Sequence, residues 1–414
     1  MHAGKKPGFP PAFWFLAGAH FIAWIGRFVT PFLTVTLTES MGFPTAVAGI
    51  VVGCYGAGVL AANFIGGMLT DRLGGKPVLV ASFFLAAAAL CLIPLGTQPV
   101  QVGVALVCFG VFNGASNPAV NTLAADMVDS NRRVSAFAAL TWAMNLGYAI
   151  GPVLGGFLSE YAYWTMFATA ACLMVTAGTF VWIFVKPPPS EFAQERKAAG
   201  VSLLPVFSDK VFMIFVATMA LYSIVYMQST TSLPLVMTGQ GFSLKEYGYL
   251  ISLNGALLCF LQPLTLKLLR ITPRKVMIMA TLCFTTAGLI VQAYAVSLPA
   301  YAAAVCLWTF GELGLHPTCQ TIAVDLAPAV MRGRYQGIYG LNWSMGLTFA
   351  PMVGSALLEA TDRVVLWWAA AAACVSVAVI MTLTARGREV RIKQVALAEG
   401  RNRSDCDDKE GANA

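Results

Sequence analysis

The sequence carries very little charge for its length. Only 11% of its 414 residues are Asp, Glu, Lys or Arg, whereas 58% are hydrophobic, and the mean hydropathy is +0.72. A soluble chain of this size exposes far more charge. The composition therefore excludes an ordinary soluble domain and indicates a protein whose solvent is the lipid bilayer.

Patterns that carry catalysis or metal binding are scarce as well. The chain has three histidines, and its ten cysteines are scattered without a CxxC spacing. We find no nucleophile–base constellation, no metal-ligand spacing and no phosphate-binding loop. We therefore expect neither an enzyme nor a metal or cofactor site, and we keep a membrane enzyme or receptor only as a distant alternative.

What the chain does have is a series of long apolar runs. A helix needs about 20 apolar residues to cross a bilayer, and no alternating pattern typical of a membrane barrel appears. The sequence predicts an all-α integral membrane fold with about twelve spans. They lie near residues 13–38, 45–70, 77–96, 101–127, 134–159, 163–185, 210–238, 246–269, 275–296, 299–326, 333–359 and 364–385.

The net charge of +7 is unevenly distributed. If both termini are cytoplasmic, most of the 26 Lys and Arg fall in cytoplasmic loops, tails or helix ends. The exceptions are Arg27, Lys245, Lys267 and Arg363. This asymmetry follows the positive-inside rule and predicts an N-in, C-in orientation. The basic balance is thus an orientation signal, and we expect no nucleic-acid partner.

A polar segment that begins Lys-Pro-Pro-Pro at Lys186 divides the chain. Proline ends the preceding helix, and the charges place the segment in the cytoplasm. The sequence therefore predicts a six-helix bundle at 1–185, a cytoplasmic linker at 186–209, a second six-helix bundle at 210–385 and a disordered cytoplasmic tail at 386–414.

The two halves also match each other. Residues 118–126 and 317–325 both run from Pro to Asp with the same spacing, and residues 147–152 parallel residues 346–351. A duplicated six-helix unit explains this order. Such repeats typically hold a central site that opens to alternate sides of the membrane.

The loop after the second predicted span has an unusual order of residues. It runs Gly-Met-Leu-Thr-Asp-Arg-Leu-Gly-Gly-Lys-Pro from Gly67 to Pro77. It resembles the signature loop between helices 2 and 3 of the major facilitator superfamily. The resemblance implies a conformational latch on the inner side of the membrane, made by Gly67, Asp71, Arg72, Gly74, Lys76, Asp126 and Arg133.

A second pattern resembles the fifth-helix motif of the superfamily's twelve-helix drug:proton antiporters. Its residues are Gly147, Gly151, Pro152, Gly155 and Gly156. Glycines four residues apart permit close contact between helices, and proline bends or loosens a helix. A short GxxxG alone is common in membrane helices, but the longer motif is more specific.

The chain departs from the family pattern in two places. Gly110 stands where the drug exporters often have an arginine in the fourth helix. The loop between the eighth and ninth helices has no acid equivalent to Asp71. The latch of the second half is therefore degenerate, which argues against a symmetric mechanism.

Two ionisable residues lie in the middle of predicted spans. Arg27 is roughly 16 Å from either end of the first helix, and Glu312 lies midway along the tenth. Because charges inside a membrane are costly, function is the default interpretation. We expect Glu312 to take up and release a coupling proton, with Arg27 as its movable counter-charge or as the contact for an anionic substrate group. A permanent ion pair, or Arg27 bonded to carbonyls around Pro31, is the structural alternative. His20 and His316 share these helix faces and are weaker candidates.

Further polar residues gather on the helices that line the cavity in the family. The fourth helix has an asparagine stripe at four-residue spacing, and the seventh has tyrosines and a glutamine. Bonds between helices are the alternative role for such residues. The expected cavity-lining residues are Asn113, Asn117, Asn121, Tyr222, Tyr226 and Gln228.

The sequence as a whole favours a proton-coupled exporter of hydrophobic or amphipathic small molecules, of the multidrug type, working by alternating access. We expect a monomeric multi-pass protein of the inner (plasma) membrane, which uses the proton gradient and no cofactor. Its partners would be a small-molecule substrate, protons and the lipid bilayer. The alternative within transport is a dedicated exporter or importer of one metabolite, including an anionic one.

Overall fold

The computed structural model describes residues 9–129, 132–186, 204–328 and 331–397. Within these ranges the chain forms helices and no strands, which confirms the predicted all-α fold class. The twelve long helices are α1 (Pro11–Gly26), α2 (Thr45–Leu73), α3 (Gly75–Leu92), α4 (Pro99–Met127), α5 (Arg133–Leu158), α6 (Trp164–Phe184), α7 (Lys210–Thr231), α8 (Leu244–Ile271), α9 (Arg274–Tyr294), α10 (Leu298–Leu326), α11 (Arg332–Ala360) and α12 (Arg363–Leu383).

Eleven helical segments in the described part of the chain are long and apolar enough to cross a membrane. The first runs from Pro11 to Ser40 and so extends beyond α1. Helix α11 is not among the eleven. Its 29 residues are long enough to cross a membrane, but it is less apolar than the other long helices. The chain is therefore a multi-pass membrane protein, with α11 as the predicted twelfth span.

Proline and glycine set several of the helix ends. Helix α4 begins with Pro99, and the Gln101 side chain of its first turn accepts a hydrogen bond of 3.4 Å from the Gln98 backbone amide. Helix α2 ends at Leu73 because Gly74 adopts a φ of +90°, a conformation that favours glycine. This one residue connects α2 to α3, so the loop expected from the sequence is a tight turn.

The first span changes its helical form halfway along. Helix α1 ends at Gly26, and Arg27–Phe32 forms a 3-10 helix that contains Pro31. A proline lacks the N–H that would bond to the carbonyl four residues earlier, and its ring clashes with that carbonyl. The carbonyl four residues before Pro31 belongs to Arg27. Proline thus accounts for the break and places Arg27 at its first residue.

The helices group into two compact units. The first lies within Met1–Gly200, Met227–Phe260 and Leu347–Arg363, and the second lies within Val201–Tyr226, Leu261–Gly346 and Val364–Ala414. Helices α7, α8 and α11 therefore contribute residues to both. The division into two six-helix bundles along the chain stays a prediction. Residues 187–203 of the predicted linker lie outside the described residues.

The chain continues beyond α12 as a further helix, α13, at residues 385–397. The predicted disordered tail from residue 386 is therefore wrong up to residue 397, and residues 398–414 lie outside the described part. Arg388 and Val395 are buried, and Arg391 Nε donates to Asp209 Oδ2 over 3.1 Å. The charged composition suggested disorder, but these side chains pack within the second unit.

Candidate substrate and proton sites

The first unit contains a polar cluster around Arg27. Arg27 Nη2 lies 2.9 Å from Ser116 Oγ and 3.4 Å from both the Asn113 carbonyl oxygen and Asn117 Oδ1. The guanidinium also covers the ring of Trp24, with 4.2 Å between its carbon and the ring centroid. The residues that meet Arg27 come from α1 and α4. The contacts bring together three residues that were predicted to act at one site, namely Arg27, Asn113 and Asn117.

All the hydrogen-bond acceptors around Arg27 are neutral. Within the described residues its guanidinium forms no ion pair, and Arg27 Nε is buried without a hydrogen-bond partner. Neutral oxygens solvate a cation but leave its charge uncompensated. The cluster can therefore accept an anionic group without displacing a protein carboxylate.

Two more contacts extend this cluster. Trp24 Nε1 donates to His20 Nε2 over 3.1 Å, so His20 acts here as an acceptor. Asn113 Nδ2 donates to the hydroxyl of Tyr55 on α2 over 2.8 Å. The cluster thus joins three helices of the first unit through hydrogen bonds.

The second unit contains a carboxylate among aromatic rings. The Tyr226 hydroxyl donates to Glu312 Oε1 over 2.9 Å, and Glu312 is buried with 8% exposure. The Tyr226 ring meets Trp308 and Trp343 edge-on, with ring centroids 6.1 and 5.4 Å apart. His316 stacks on Trp343 with centroids 4.7 Å apart. A buried carboxyl in such surroundings can hold a proton, and its ionised form can attract a cation.

The other predicted cavity-lining residues lie in three different surroundings. Tyr222 stacks on Tyr226 with ring centroids 6.4 Å apart, so it belongs to the aromatic cluster. Asn121 is exposed, one turn beyond Asn117 on α4. Gln228 is buried; its Nε2 donates to the Ala350 carbonyl over 3.0 Å. Its role in lining the cavity stays a prediction.

Several residues of the two clusters went undetected in the sequence. Ser116 could have been found, because it lies three residues after Asn113 and shares its helix face. Tyr55 and Trp308 carry no such signal, since each is a single aromatic residue among apolar neighbours. Tyr55 contacts Asn113 only because α2 packs on α4, and Trp308 contacts Tyr226 only because α7 lies beside α10.

The glycine motif on α5 lies in two close contacts within the first unit. A Cβ added to Gly147 would lie 2.7 Å from Trp24 Cβ, and one added to Gly155 would lie 2.6 Å from the Phe32 ring. Gly151 faces the same side, against Phe28. The absence of side chains lets α5 approach the first span closely, and so it fixes the segment that carries Arg27.

The other face of the same motif meets α8. A Cβ on Gly156 would lie 2.8 Å from Lys245 Cα, and Gly248 of α8 packs against the Pro152 carbonyl. Beside this contact, Lys245 Nζ lies 3.4 Å from Glu160 Oε1 and 4.3 Å from the centroid of the Phe157 ring.

A matching contact joins α2 and α11. Glu359 Oε2 accepts a hydrogen bond of 2.6 Å from the Ala46 amide at the beginning of α2. Glu160 and Glu359 are as far apart along the chain as Ala46 and Lys245. The two contacts are therefore equivalent under the sequence repeat, and we call them the paired glutamate contacts.

The predicted latch residues are spread around the end of α2. Asp71 and Arg72 are exposed, and neither has a hydrogen bond or ion pair within the described part of the chain. Lys76 Nζ donates to the Trp182 carbonyl over 2.8 Å. A Cβ on Gly67 would meet nothing within 4 Å. Whether these residues engage in another state of the cycle stays a prediction.

Asp126 and Arg133, the other two predicted latch residues, lie at the end of α4 and the start of α5. Arg133 Nε is buried without a hydrogen-bond partner among the described residues. In the second half, Arg274 Nη2 pairs with Asp325 Oδ2 at 2.6 Å. That ion pair connects α9 to the end of α10 and needs no acid at the position equivalent to Asp71.

A multi-pass helical fold with a duplicated unit, a glycine motif on α5 and ionisable residues inside two spans defines a membrane transporter. The profile of the Major Facilitator Superfamily matches residues 16–346 and 268–405. The chain belongs to the major facilitator superfamily.

Similar proteins agree with this assignment. The multidrug resistance protein MdtH of Escherichia coli is 24% identical over 339 residues, which cover 80% of this chain and 83% of that protein. The crystal structure of the nucleoside transporter NupG has a TM-score of 0.75 at 14% identity and covers 91% of this chain and 99% of its own. A POT family transporter in complex with 5-aminolevulinic acid has a TM-score of 0.75 at 15% identity, with 93% and 98% coverage. These structures share the fold.

Proposed function

We propose that this transporter exports hydrophobic or amphipathic small molecules in exchange for protons, by alternating access, from the inner (plasma) membrane. The observation that carries the proposal is the buried Glu312 carboxyl, which accepts from the hydroxyl of Tyr226, whose ring in turn contacts the rings of Trp308 and Trp343. The α5 motif and the similarity to a multidrug resistance protein support the export of drugs. The proton gradient would supply the energy, with no cofactor, and the protein would act as a monomer.

In this mechanism Glu312 is protonated from one side of the membrane and deprotonated to the other. The ionised carboxylate is costly in apolar surroundings, so protonation and substrate binding would compete to neutralise it. Aromatic rings beside the carboxylate attract flat apolar groups and cations. Because the proton and the substrate compete for the one Glu312 carboxylate, the transport of one is coupled to the transport of the other.

The proposal is tested with purified protein in liposomes under an imposed pH gradient, with ethidium as substrate. Wild type should move ethidium against its concentration gradient, and collapse of the pH gradient should stop this movement. Glu312→Gln should lose gradient-driven transport, and the exchange of ethidium for ethidium that remains across the membrane should no longer depend on pH. Glu39→Gln is the matched control, because Glu39 is exposed and lies outside both clusters.

Full gradient-driven transport by Glu312→Gln would show that Glu312 is not the proton site. Wild-type transport that ignores the pH gradient would reject proton coupling altogether. The exchange measurement distinguishes a failure of coupling from a failure of binding or folding.

A second candidate function rests on Arg27. A cation that meets only neutral oxygens suits a substrate with a carboxylate or another anionic group. This observation favours transport of amphipathic anions, or of one anionic metabolite. The direction of such transport, inward or outward, would follow from the same liposome assay with the gradient reversed.

A further inference from the structure

An open cleft lies in the second unit, apart from both polar clusters. It lies where α9 begins, α12 ends and α13 follows. Because α9 and α12 are spans, this is the level at which the apolar part of the bundle meets the polar surface. The cleft is therefore accessible from the headgroup region of one leaflet.

The walls of the cleft combine apolar and basic side chains. Ile278, Met279 and Ile392 contribute apolar surface. The basic residues are Arg274, Lys275 and Arg388, and the acid is Glu389.

The three cations differ in how far they are already paired. Arg274 forms an ion pair with Asp325 at 2.6 Å. Arg388 is buried and donates to the Met381 carbonyl over 2.7 Å, a neutral partner. Lys275 is exposed, with no hydrogen bond or ion pair within the described residues. Within the described residues Lys275 and Arg388 thus form no ion pair, and Glu389 is the one acid among the residues that line the cleft.

We propose that this cleft binds an anionic phospholipid of the adjacent leaflet, with its phosphate beside Lys275 and Arg388 and an acyl chain along Ile278 and Met279. Basic pockets between membrane helices are suited to such headgroups, and each lysine near an anionic surface strengthens binding about fivefold. The apolar wall excludes a soluble anion as the best ligand, because that wall would stay exposed to water. A lipid satisfies both surfaces at once.

The bound lipid would hold α13 against α9 and α12. Since α13 also carries Arg391, which pairs with Asp209 at the start of α7, the headgroup would join three spans at one end of the second unit. The consequence is a dependence of this end of the unit on the charge of the surrounding lipid.

Native mass spectrometry of the purified full-length protein tests the proposal. The probes are phosphatidylglycerol and phosphatidylcholine with identical acyl chains, and free glycerol 3-phosphate. Wild type should retain phosphatidylglycerol at least fivefold more strongly than phosphatidylcholine, and it should retain glycerol 3-phosphate far less than either lipid.

Two variants act on different parts of the cleft. Lys275→Gln removes the unpaired charge and should lower the affinity for phosphatidylglycerol about fivefold. Ala385→Trp fills the cleft without a change of charge and should lower the retention of both lipids. Lys393→Gln is the matched control, because Lys393 is an exposed residue of α13 that does not line the cleft, and it should bind as wild type does.

Equal retention of the two lipids by wild type would overturn the proposal. So would wild-type affinity for phosphatidylglycerol in both cleft variants. Tight binding of glycerol 3-phosphate alone would show a site for soluble phosphates and would reject the lipid. If one variant unfolds, the other still decides the question.

Discussion

The arginine on the first span shows how surroundings determine what a single residue can bind. Its guanidinium has five N–H groups in a rigid fork, and Trp24 covers one face. One end of the fork is shared among oxygens of α4, while Arg27 Nε has no partner within the described residues. A lysine would carry the same charge, but its ammonium group is compact. It lacks the fork of N–H donors and would stack less well on the Trp24 ring.

We expect Arg27→Lys to lower the affinity for a carboxylate substrate about tenfold and Arg27→Ala to lower it about a hundredfold, because hydrogen bonds to charged groups contribute about 1.5–3 kcal/mol. The measurement is competition for transport in liposomes between an amphipathic carboxylic acid and its methyl ester. The ester lacks the negative charge and should be unaffected in both variants. Equal losses for acid and ester would indicate a structural role for Arg27.

At the scale of helices, close packing of α5 on the first span depends on missing side chains. A Cβ on Gly155 would lie 2.6 Å from the Phe32 ring and 2.7 Å from the Phe28 ring, and both rings are buried. Neither ring can move freely, so an added methyl group must shift a helix. By contrast, a Cβ on Gly337 of α11 would meet nothing within 4 Å.

We therefore expect Gly155→Ala to destabilise the protein by about 1–3 kcal/mol, the typical cost of overpacking. Gly337→Ala should be neutral or slightly stabilising, because alanine loses less conformational freedom than glycine in a helix. Thermal unfolding in detergent compares the two variants directly. Equal melting temperatures would mean that the α5 contact relaxes without cost.

The ion pair between α5 and α8 permits a test by charge exchange. Glu160 and Lys245 are partly exposed, at 51% and 29% of their side chains, so the pair contributes about 0.2–1 kcal/mol. Glu160→Lys and Lys245→Glu alone should each shift the equilibrium between transport states up to about fivefold, and the double exchange should restore it. Spin-label distances between the adjacent ends of α5 and α8 measure the shift. A double variant that behaves as the sum of the singles would show that the two charges do not interact.

The sequence predicted the close contact of α5 with another helix, because the spacing of its glycines is a local signal. It did not predict the break at Arg27: the first span was expected as one continuous helix over 13–38, although Pro31 is a local cause of the break. The sequence also did not predict the bond of Gln228 to the Ala350 carbonyl, since this bond joins residues far apart in the chain. Likewise, Tyr226 was predicted to line the cavity, but no local signal identifies Glu312 as the partner of its hydroxyl.

At the scale of the whole molecule, the sequence predicted a disordered tail where the structure has the helix α13. Its residues are charged, and charge without apolar periodicity suggests disorder. The helix is nevertheless held, because Asp209 is nearly buried and accepts from both Arg391 Nε and the Tyr335 hydroxyl, at 3.1 and 3.0 Å. Asp209 also accepts from the Phe212 amide at the start of α7. One carboxylate thus joins α13 to α7 and α11.

We expect Arg391→Gln to lower the stability of the second unit by about 1–3 kcal/mol, because it leaves a largely buried carboxylate with only neutral donors. Lys393→Gln removes the same charge from the exposed face of α13 and should have little effect. Hydrogen exchange of residues 385–397 measures the local change. Unchanged protection in Arg391→Gln would show that burial of apolar side chains alone holds α13.

The paired glutamate contacts have a consequence for the ionic medium. Glu160 meets a lysine side chain, whereas Glu359 meets a backbone amide, although the two positions are equivalent in the repeat. Dissolved salt screens the attraction between two exposed charges, but a hydrogen bond to the main chain requires no second charge. Rising ionic strength should therefore loosen α5 from α8 before it loosens α2 from α11. Two contacts that are equivalent under the sequence repeat would then be released in a fixed order.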